Sequence, residues 1–118
     1  MPMTKVYRVQ DKEGRGPYRP GFSAKWRDPN SSNEDKPPFF VEFGWDVVGR
    51  VPSGHHAGCA FRTMGQLRSW FSPTELERLR WLGYSVVEIE VDRVLAESQK
   101  QLVFCRVVPL SEGARALS

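Results

Sequence analysis

Cysteine is scarce in this chain, and long apolar runs are absent from it. The two cysteines, Cys59 and Cys105, are too few for a disulfide scaffold, and their apolar neighbours are typical of reduced, partly buried thiols. A zinc site needs more soft ligands at better spacing than His55, His56 and Cys59 offer, so no metal is expected. No stretch reaches the roughly 18 apolar residues of a membrane span. These absences argue against a disulfide-rich, a zinc-binding and a membrane-spanning protein.

The N-terminus also lacks the apolar core of a signal peptide, which predicts a cytoplasmic protein. A chain of 118 residues can build one core but not two, so residues 1–118 are expected to form a single domain. An apolar content of 40% and a charged content of 26% are ordinary for a soluble globular protein.

Charge is unevenly distributed along the chain. Residues 1–30 carry seven basic and three acidic side chains, a net charge of +4, and residues 61–83 add +2. Such segments attract phosphate, whether in nucleic acid, a nucleotide or a dinucleotide, although a solvated surface that keeps the protein soluble is the alternative. No recognised nucleic-acid-binding motif is present. Nucleic-acid binding would use the basic N-terminal region together with Arg62, Arg68, Arg78 and Arg80.

Local signals agree best between residues 59 and 108. Capping boxes at Thr63–Gln66 and Ser72–Glu75 predict two consecutive helices, each with an apolar stripe. Gly83 is expected to end the second helix in the left-handed conformation. Strands are predicted at Tyr84–Val91 and Gln101–Val108, with a turn at residues 96–100 between them.

The first half of the chain is less regular. Thr4–Gln10 predicts a strand with Tyr7 and Val9 on one face and Val6 and Arg8 on the other. Residues 11–38 form a long Gly/Pro-rich loop dotted with aromatic residues, part of which should pack down or bind a partner. Phe39–Phe43 is predicted as a short strand, residues 45–51 as its continuation or a second strand, and residues 110–118 as a frayed tail.

The predicted fold class is therefore α+β. A small, mainly antiparallel sheet would pack against the helix pair, with the long N-terminal loop on one side. Among the tryptophans, Trp70 and Trp81 are expected to pack on the sheet, whereas Trp26 and Trp45 are the candidates to line a site.

Residues 14–21 are the sharpest local candidate for a phosphate site. Glycine lets backbone amides approach a phosphate, and arginine can bind it bidentately, which points to Arg15, Arg19 and the intervening Tyr18. The spacing is not that of a Walker loop, and a tight turn with exposed arginines is the alternative. Arg8 is the second candidate, since an arginine within a strand either extends from an exposed face or lies in a cleft that faces a ligand.

The order of these pieces resembles a reduced ADP-ribosyltransferase-like fold. The resemblance rests on Arg8 in the first strand, on the Gly58–Thr63 junction, and on Gln101 at the start of the closing strand. It implies NAD as a possible cofactor, with Arg8 and Gln101 as catalytic positions. The implied cofactor-binding residues are Arg8, Arg15, Tyr18, Arg19, Trp26 and Thr63.

Two departures from that family bear on catalysis. Thr63 alone stands near the place of the family's Ser-Thr-Ser motif, and Gln101 replaces a glutamate that would stabilise developing positive charge. Removing a stabiliser of this kind typically costs about 10²–10³ in rate. Glu97 would substitute only if its turn brought it inward. The enzyme hypothesis also requires that the opening and closing strands lie side by side, so that Arg8 and Gln101 share one pocket.

The chain also resembles small proteins encoded by phages and prophages, some of which disarm host defences. The leading hypothesis is thus an accessory protein that binds a host protein through the loop at residues 11–38. An NAD-binding ADP-ribosyltransferase that modifies a host target is the alternative, and nucleic-acid binding is a further one.

Overall fold

The computed structural model describes residues 3–18, 21–28 and 36–117 and confirms the α+β class. Each of its two sheets has three antiparallel strands, with three short α-helices and two 3-10 helices around them. The strands are β1 Thr4–Asp11, β2 His56–Ala60, β3 Tyr84–Val91, β4 Arg93–Glu97, β5 Leu102–Arg106 and β6 Arg115–Ala116. The helices are α1 Phe39–Phe43, α2 Met64–Trp70 and α3 Pro73–Trp81, and the 3-10 helices are Ser23–Lys25 and Trp45–Arg50.

The two sheets have different strand orders and share little backbone pairing. The first has the order β1-β3-β6, in which β1 pairs with β3 over its whole length, and the second has the order β2-β5-β4. A single residue, Asp92, separates β3 from β4, so the chain passes there from one sheet to the other. Tyr7 of β1 and Phe61 after β2 form an isolated antiparallel bridge that joins the sheets at one point.

Two apolar clusters form the core, one on each face of the first sheet. The face that carries Val6 and Ile89 packs against Leu102 and Phe104 of the second sheet. The face that carries Val9 packs against the helices, in a cluster of Val9, Trp26, Phe61, Leu67, Trp70, Phe71, Leu79 and Tyr84. The predicted alternation in β1 is confirmed, and it puts Arg8 on the same face as Val6, between the sheets.

The predicted capping boxes, the predicted helix end at Gly83 and the strand after it are confirmed. Thr63 and Ser72 accept hydrogen bonds from the Gln66 and Glu75 amides, and both reciprocal side-chain bonds are present. Gly83 has φ +89°, a left-handed conformation that only glycine adopts without strain. The strand Tyr84–Val91 has the predicted bounds.

The predicted strand at Phe39–Phe43 is wrong, because these residues form α1, and residues 45–50 form a 3-10 helix. A short apolar run fits a strand or a helix equally well by periodicity. The strand that follows β1 in the chain is β2, not Phe39–Phe43, and β4 was not predicted. Trp81 is also placed wrongly: its side chain is 83% exposed, because α3 buries Glu75 and Leu79, and a residue two positions after Leu79 lies on the opposite face.

Parts of the predicted loop and tail are ordered against the core. Gly14 and Pro17 are buried, and Trp26 is only 1% exposed. Residues 19–20 and 29–35 of the predicted loop lie outside the described residues. In the segment expected to fray, Arg115 and Ala116 pair with Glu88 and Val87 of β3.

Candidate functional site

A cavity of about 660 Å³ lies beside the point where β1 and β2 meet. Its walls come from β1, β2, the loop at residues 14–18, the start of α1, and the end of α2. None of the described residues that line it is acidic, whereas three have positively charged side chains, namely Arg8, Arg15 and Lys36. Six of the described lining residues carry aromatic rings, namely Tyr18, Phe39, Phe40, Phe61, Trp70 and Phe71. Its composition suits a ligand that combines negative charge with an aromatic ring.

Arg8 is the buried charged residue of this cavity (the Arg8 cavity). Its surface is 5% exposed; Nη1 donates to the Cys59 carbonyl at 3.2 Å and Nη2 to the Gly14 carbonyl at 3.3 Å. Nε has no hydrogen-bond partner, and no carboxylate among the described residues lies within 4 Å of the guanidinium. Burial lowers the pKa of Arg8 to about 10, so the group stays charged at neutral pH. Arg8 is therefore a buried cation with no carboxylate partner among the described residues.

Gly58 on β2 makes room for this guanidinium. A Cβ at position 58 would lie 2.2 Å from Nη1 of Arg8 and 3.2 Å from Cζ of Phe104. The Arg8 guanidinium also lies over the Phe104 ring, 5.6 Å from its centroid. The absence of a side chain at Gly58 thus explains how Arg8 reaches across to β2.

Gln101 lines the same cavity, but its carboxamide is already engaged. Its Nε2 donates to the Pro37 carbonyl at 2.8 Å and to Oε1 of Glu42 at 3.0 Å, so the side chain holds α1 against the start of β5. Contrary to the prediction, β1 and β5 are not neighbours, because they belong to different sheets. Arg8 and Gln101 nevertheless reach one cavity, since β2 stands between their strands.

The other predicted site residues divide into two groups. Arg15 and Tyr18 line the cavity; Arg15 also pairs with Asp11 at 2.8 Å, and Tyr18 accepts a hydrogen bond from Nε1 of Trp70 at 2.6 Å. Trp26 and Thr63 do not line it, because Trp26 is buried in the core and Thr63 caps α2. Arg19 lies outside the described residues.

Sequence reasoning missed the α1 side of the cavity. Phe39 and Phe40 line it, whereas the strand prediction gave them no role in a site. The Pro37-Pro38 pair just before them was the available signal, because proline is tolerated at the start of a helix and excluded from the middle of a sheet. Cys59 lines the cavity too, but burial raises the pKa of its thiol to about 11, so the thiol stays protonated at neutral pH.

Two of the arginines of the nucleic-acid hypothesis are engaged within the protein. Arg62 pairs with Glu97 through two contacts of 2.6 and 2.8 Å, which also leaves Glu97 outside the cavity. Arg78 donates to the Arg27 carbonyl at 3.0 Å. Arg68 and Arg80 border a separate cavity of about 480 Å³ between the helices and β3.

In the part of the chain that the structure describes, no three His, Cys, Asp or Glu side chains are grouped closely enough to hold a metal ion. No helix within those same ranges is long and apolar enough to cross a membrane.

Comparison with known protein families gives a match that covers most of the chain. Residues 3–108 match the family described as Bacteriophage T4 Y00F protein. The chain belongs to this phage protein family. No curated protein and no solved structure matches it. The Y00F match spans β1 to β5. It therefore includes every described residue that lines the Arg8 cavity except Leu110.

Proposed function

We propose that this phage-family protein binds a small anionic molecule that carries an aromatic ring, such as a nucleotide, in the Arg8 cavity. The observation that supports this most directly is the buried Arg8 guanidinium, which has an unpartnered Nε and no carboxylate among the described residues around it. Burying an unpaired charge is costly, so an anionic ligand would recover interaction energy that the free protein lacks. A volume of about 660 Å³ is within the roughly 300–1,000 Å³ of small-molecule sites.

The rings on the cavity wall would bind the apolar part of such a ligand. Tyr18 is 55% exposed, and one of its neighbours, Phe71, stacks on it at 6.1 Å between centroids. Base–aromatic stacking contributes about 1–3 kcal/mol per base. NAD, which the resemblance implied, belongs to this ligand class, and so do simpler nucleotides.

The proposal is for binding and not for ADP-ribosyl transfer. The Gln101 carboxamide already binds Pro37 and Glu42, and it carries no charge to stabilise a cationic transition state. No described residue of the cavity wall supplies a carboxylate in its place. ADP-ribosyl transfer is therefore supported only by the resemblance to the ADP-ribosyltransferase-like fold.

Arg8→Met tests the proposed function. Loss of charge-assisted hydrogen bonds worth about 1.5–3 kcal/mol should weaken binding of AMP or NAD by about 10- to 100-fold in isothermal titration calorimetry. Arg50→Met is the matched control, because it removes the same charge from an exposed residue outside the cavity wall. Equal affinities for the two variants, or no binding by the parent protein, would contradict the proposal.

A host-protein partner is the second candidate, and an exposed apolar patch on α1 and the following 3-10 helix favours it. The patch consists of Phe40, Val41, Trp45 and Val48, and the rings of Phe40 and Trp45 stack at 4.6 Å with an interplanar angle of 4°. Val41 and Trp45 are 66% and 65% exposed. Interfaces are enriched in exposed aromatic residues, and Phe40 also belongs to the cavity wall, so a bound protein would reach the cavity.

Trp45→Ser should abolish capture of a host protein from lysate on immobilised protein, because aromatic hot spots contribute about 2 kcal/mol or more. Trp81→Ser provides the control, since Trp81 is equally large and even more exposed but lies away from the patch on α3. If the Trp45→Ser protein still captures the host protein, or if Trp81→Ser abolishes capture equally, the patch is not the binding surface.

A further inference from the structure

In the loop at residues 14–18, the carbonyl groups of residues 14–17 accept hydrogen bonds from the rest of the protein. Four successive carbonyl oxygens each accept a hydrogen bond from a different donor. The pairs are Arg8 Nη2 with Gly14 (3.3 Å), Asp11 N with Arg15 (3.0 Å), Tyr84 Oη with Gly16 (3.2 Å) and Trp26 Nε1 with Pro17 (3.1 Å). These bonds come from β1, β3 and the Trp26 segment, so the loop is held in place before any ligand arrives.

The amide groups of this loop are used quite differently from its carbonyls. Gly14 and Arg15 donate to Asp11, and Pro17 has no N–H. The Gly16 and Tyr18 amides have no acceptor among the described residues, and both residues line the cavity. Backbone amides without competing carbonyls, beside arginine side chains, form a concavity that attracts anions.

Tyr18 adds a third unused donor. Its hydroxyl oxygen accepts the Trp70 indole N–H at 2.6 Å, so its own proton is free to point elsewhere, and no described residue accepts it. Burial raises the pKa of Tyr18 to about 12, an effect that the bond from Trp70 partly opposes, so the hydroxyl keeps its proton at neutral pH. The ring is half-exposed, but the hydroxyl lies against the indole.

We infer that residues 14–18 form a phosphate-binding loop, in which the Gly16 and Tyr18 amides, the Tyr18 hydroxyl and the guanidinium groups of Arg8 and Arg15 converge on one phosphate group. The inference rests on the proposed function and narrows its ligand class to phosphorylated molecules. A phosphate offers three acceptor oxygens in three directions, which matches several donors at once, whereas a carboxylate offers two oxygens in one plane. An acidic protein side chain would therefore satisfy this site poorly.

Titration of ¹⁵N-labelled protein with inorganic pyrophosphate, at constant ionic strength, tests the loop directly. The Gly16 and Tyr18 amide resonances should move in a saturable manner, and the Gly113 amide, in a turn outside the cavity wall, should not. Acetate should bind at least about tenfold more weakly than pyrophosphate, and Arg8→Met should weaken pyrophosphate binding about 10- to 100-fold.

The possible results separate this inference from the proposed function. If AMP binds in an Arg8-dependent way while the Gly16 and Tyr18 amides stay unchanged, the loop inference is wrong and the proposed function stands. If acetate binds as tightly as pyrophosphate, the restriction to phosphate is overturned. If neither AMP nor pyrophosphate binds, both fail.

Discussion

Gly14→Ala is expected to lower the free energy of unfolding by about 3 kcal/mol, measured by chemical denaturation. Gly14 has φ +85°, and an added Cβ would lie 2.8 Å from Cβ and 2.9 Å from the carbonyl carbon of Leu110, and 2.9 Å from the Ser111 amide nitrogen. Two of these atoms belong to the backbone and cannot turn away as a side-chain end can. The substitution therefore combines left-handed strain with a backbone clash.

Gly113→Ala separates these two contributions. Gly113 also has a left-handed φ of +68°, but a Cβ there would meet nothing within 4 Å, so only the conformational cost of about 1 kcal/mol is expected. If both variants lose the same stability, the close approach of residues 110–111 to the loop at Gly14 contributes nothing.

Arg106→Met is expected to cost about 3 kcal/mol, because it removes the donor of three backbone carbonyls. Nη1 of Arg106 donates to Glu90 at 3.1 Å, and Nη2 donates to both Pro109 and Glu112 at 2.5 Å. These bonds hold the segment after β5 against β3. Hydrogen exchange of the amides at residues 107–112 should accelerate together with the loss of global stability.

Arg8→Met is the matched comparison for stability, because Arg8 is a second buried arginine with an unpartnered Nε. Among the described residues, the Arg8 guanidinium donates to only two carbonyls, at 3.2 and 3.3 Å. Replacing a buried charge that has no ion-pair partner by an apolar side chain often leaves the free energy of unfolding unchanged or raises it. We expect a change of less than about 1 kcal/mol. A cost as large as that of Arg106→Met would mean that Arg8 serves the fold, and it would weaken the argument for a ligand.

The segment after β5 also contacts the candidate ligand site. Leu110 contacts the loop at Gly14, and its carbonyl accepts a hydrogen bond from Gln10 at 2.8 Å. Leu110 is also a wall of the cavity. The segment that Arg106 anchors therefore supports the loop at residues 14–18, and a variant that loosens it should also disturb the ligand site.

Predictions succeeded where neighbouring residues determine the conformation. The capping boxes at Thr63 and Ser72 and the left-handed Gly83 depend on contacts within a few positions of the chain. The strand Tyr84–Val91 pairs with distant β1, but its β-branched residues and the glycine before it are local signals. Predictions failed at Phe39–Phe43, where a short apolar run fits helix and strand equally. The helix at Phe39–Phe43 is stabilised by hydrogen bonds from the distant Gln101 to Pro37 and Glu42, and no local sequence pattern predicts these bonds.

The sequence by itself determined the α+β class, the alternation that turns Arg8 inward from β1, and the basic, glycine-containing character of residues 14–18. Only the tertiary structure decided that Arg8 would be buried with no carboxylate partner among the described residues, that the four carbonyls of residues 14–17 would be occupied, and that Gln101 would bind Glu42 of α1. The physical reason is that side-chain chemistry is a local property, whereas the pairing of a buried charge or carbonyl depends on segments brought together from far along the chain.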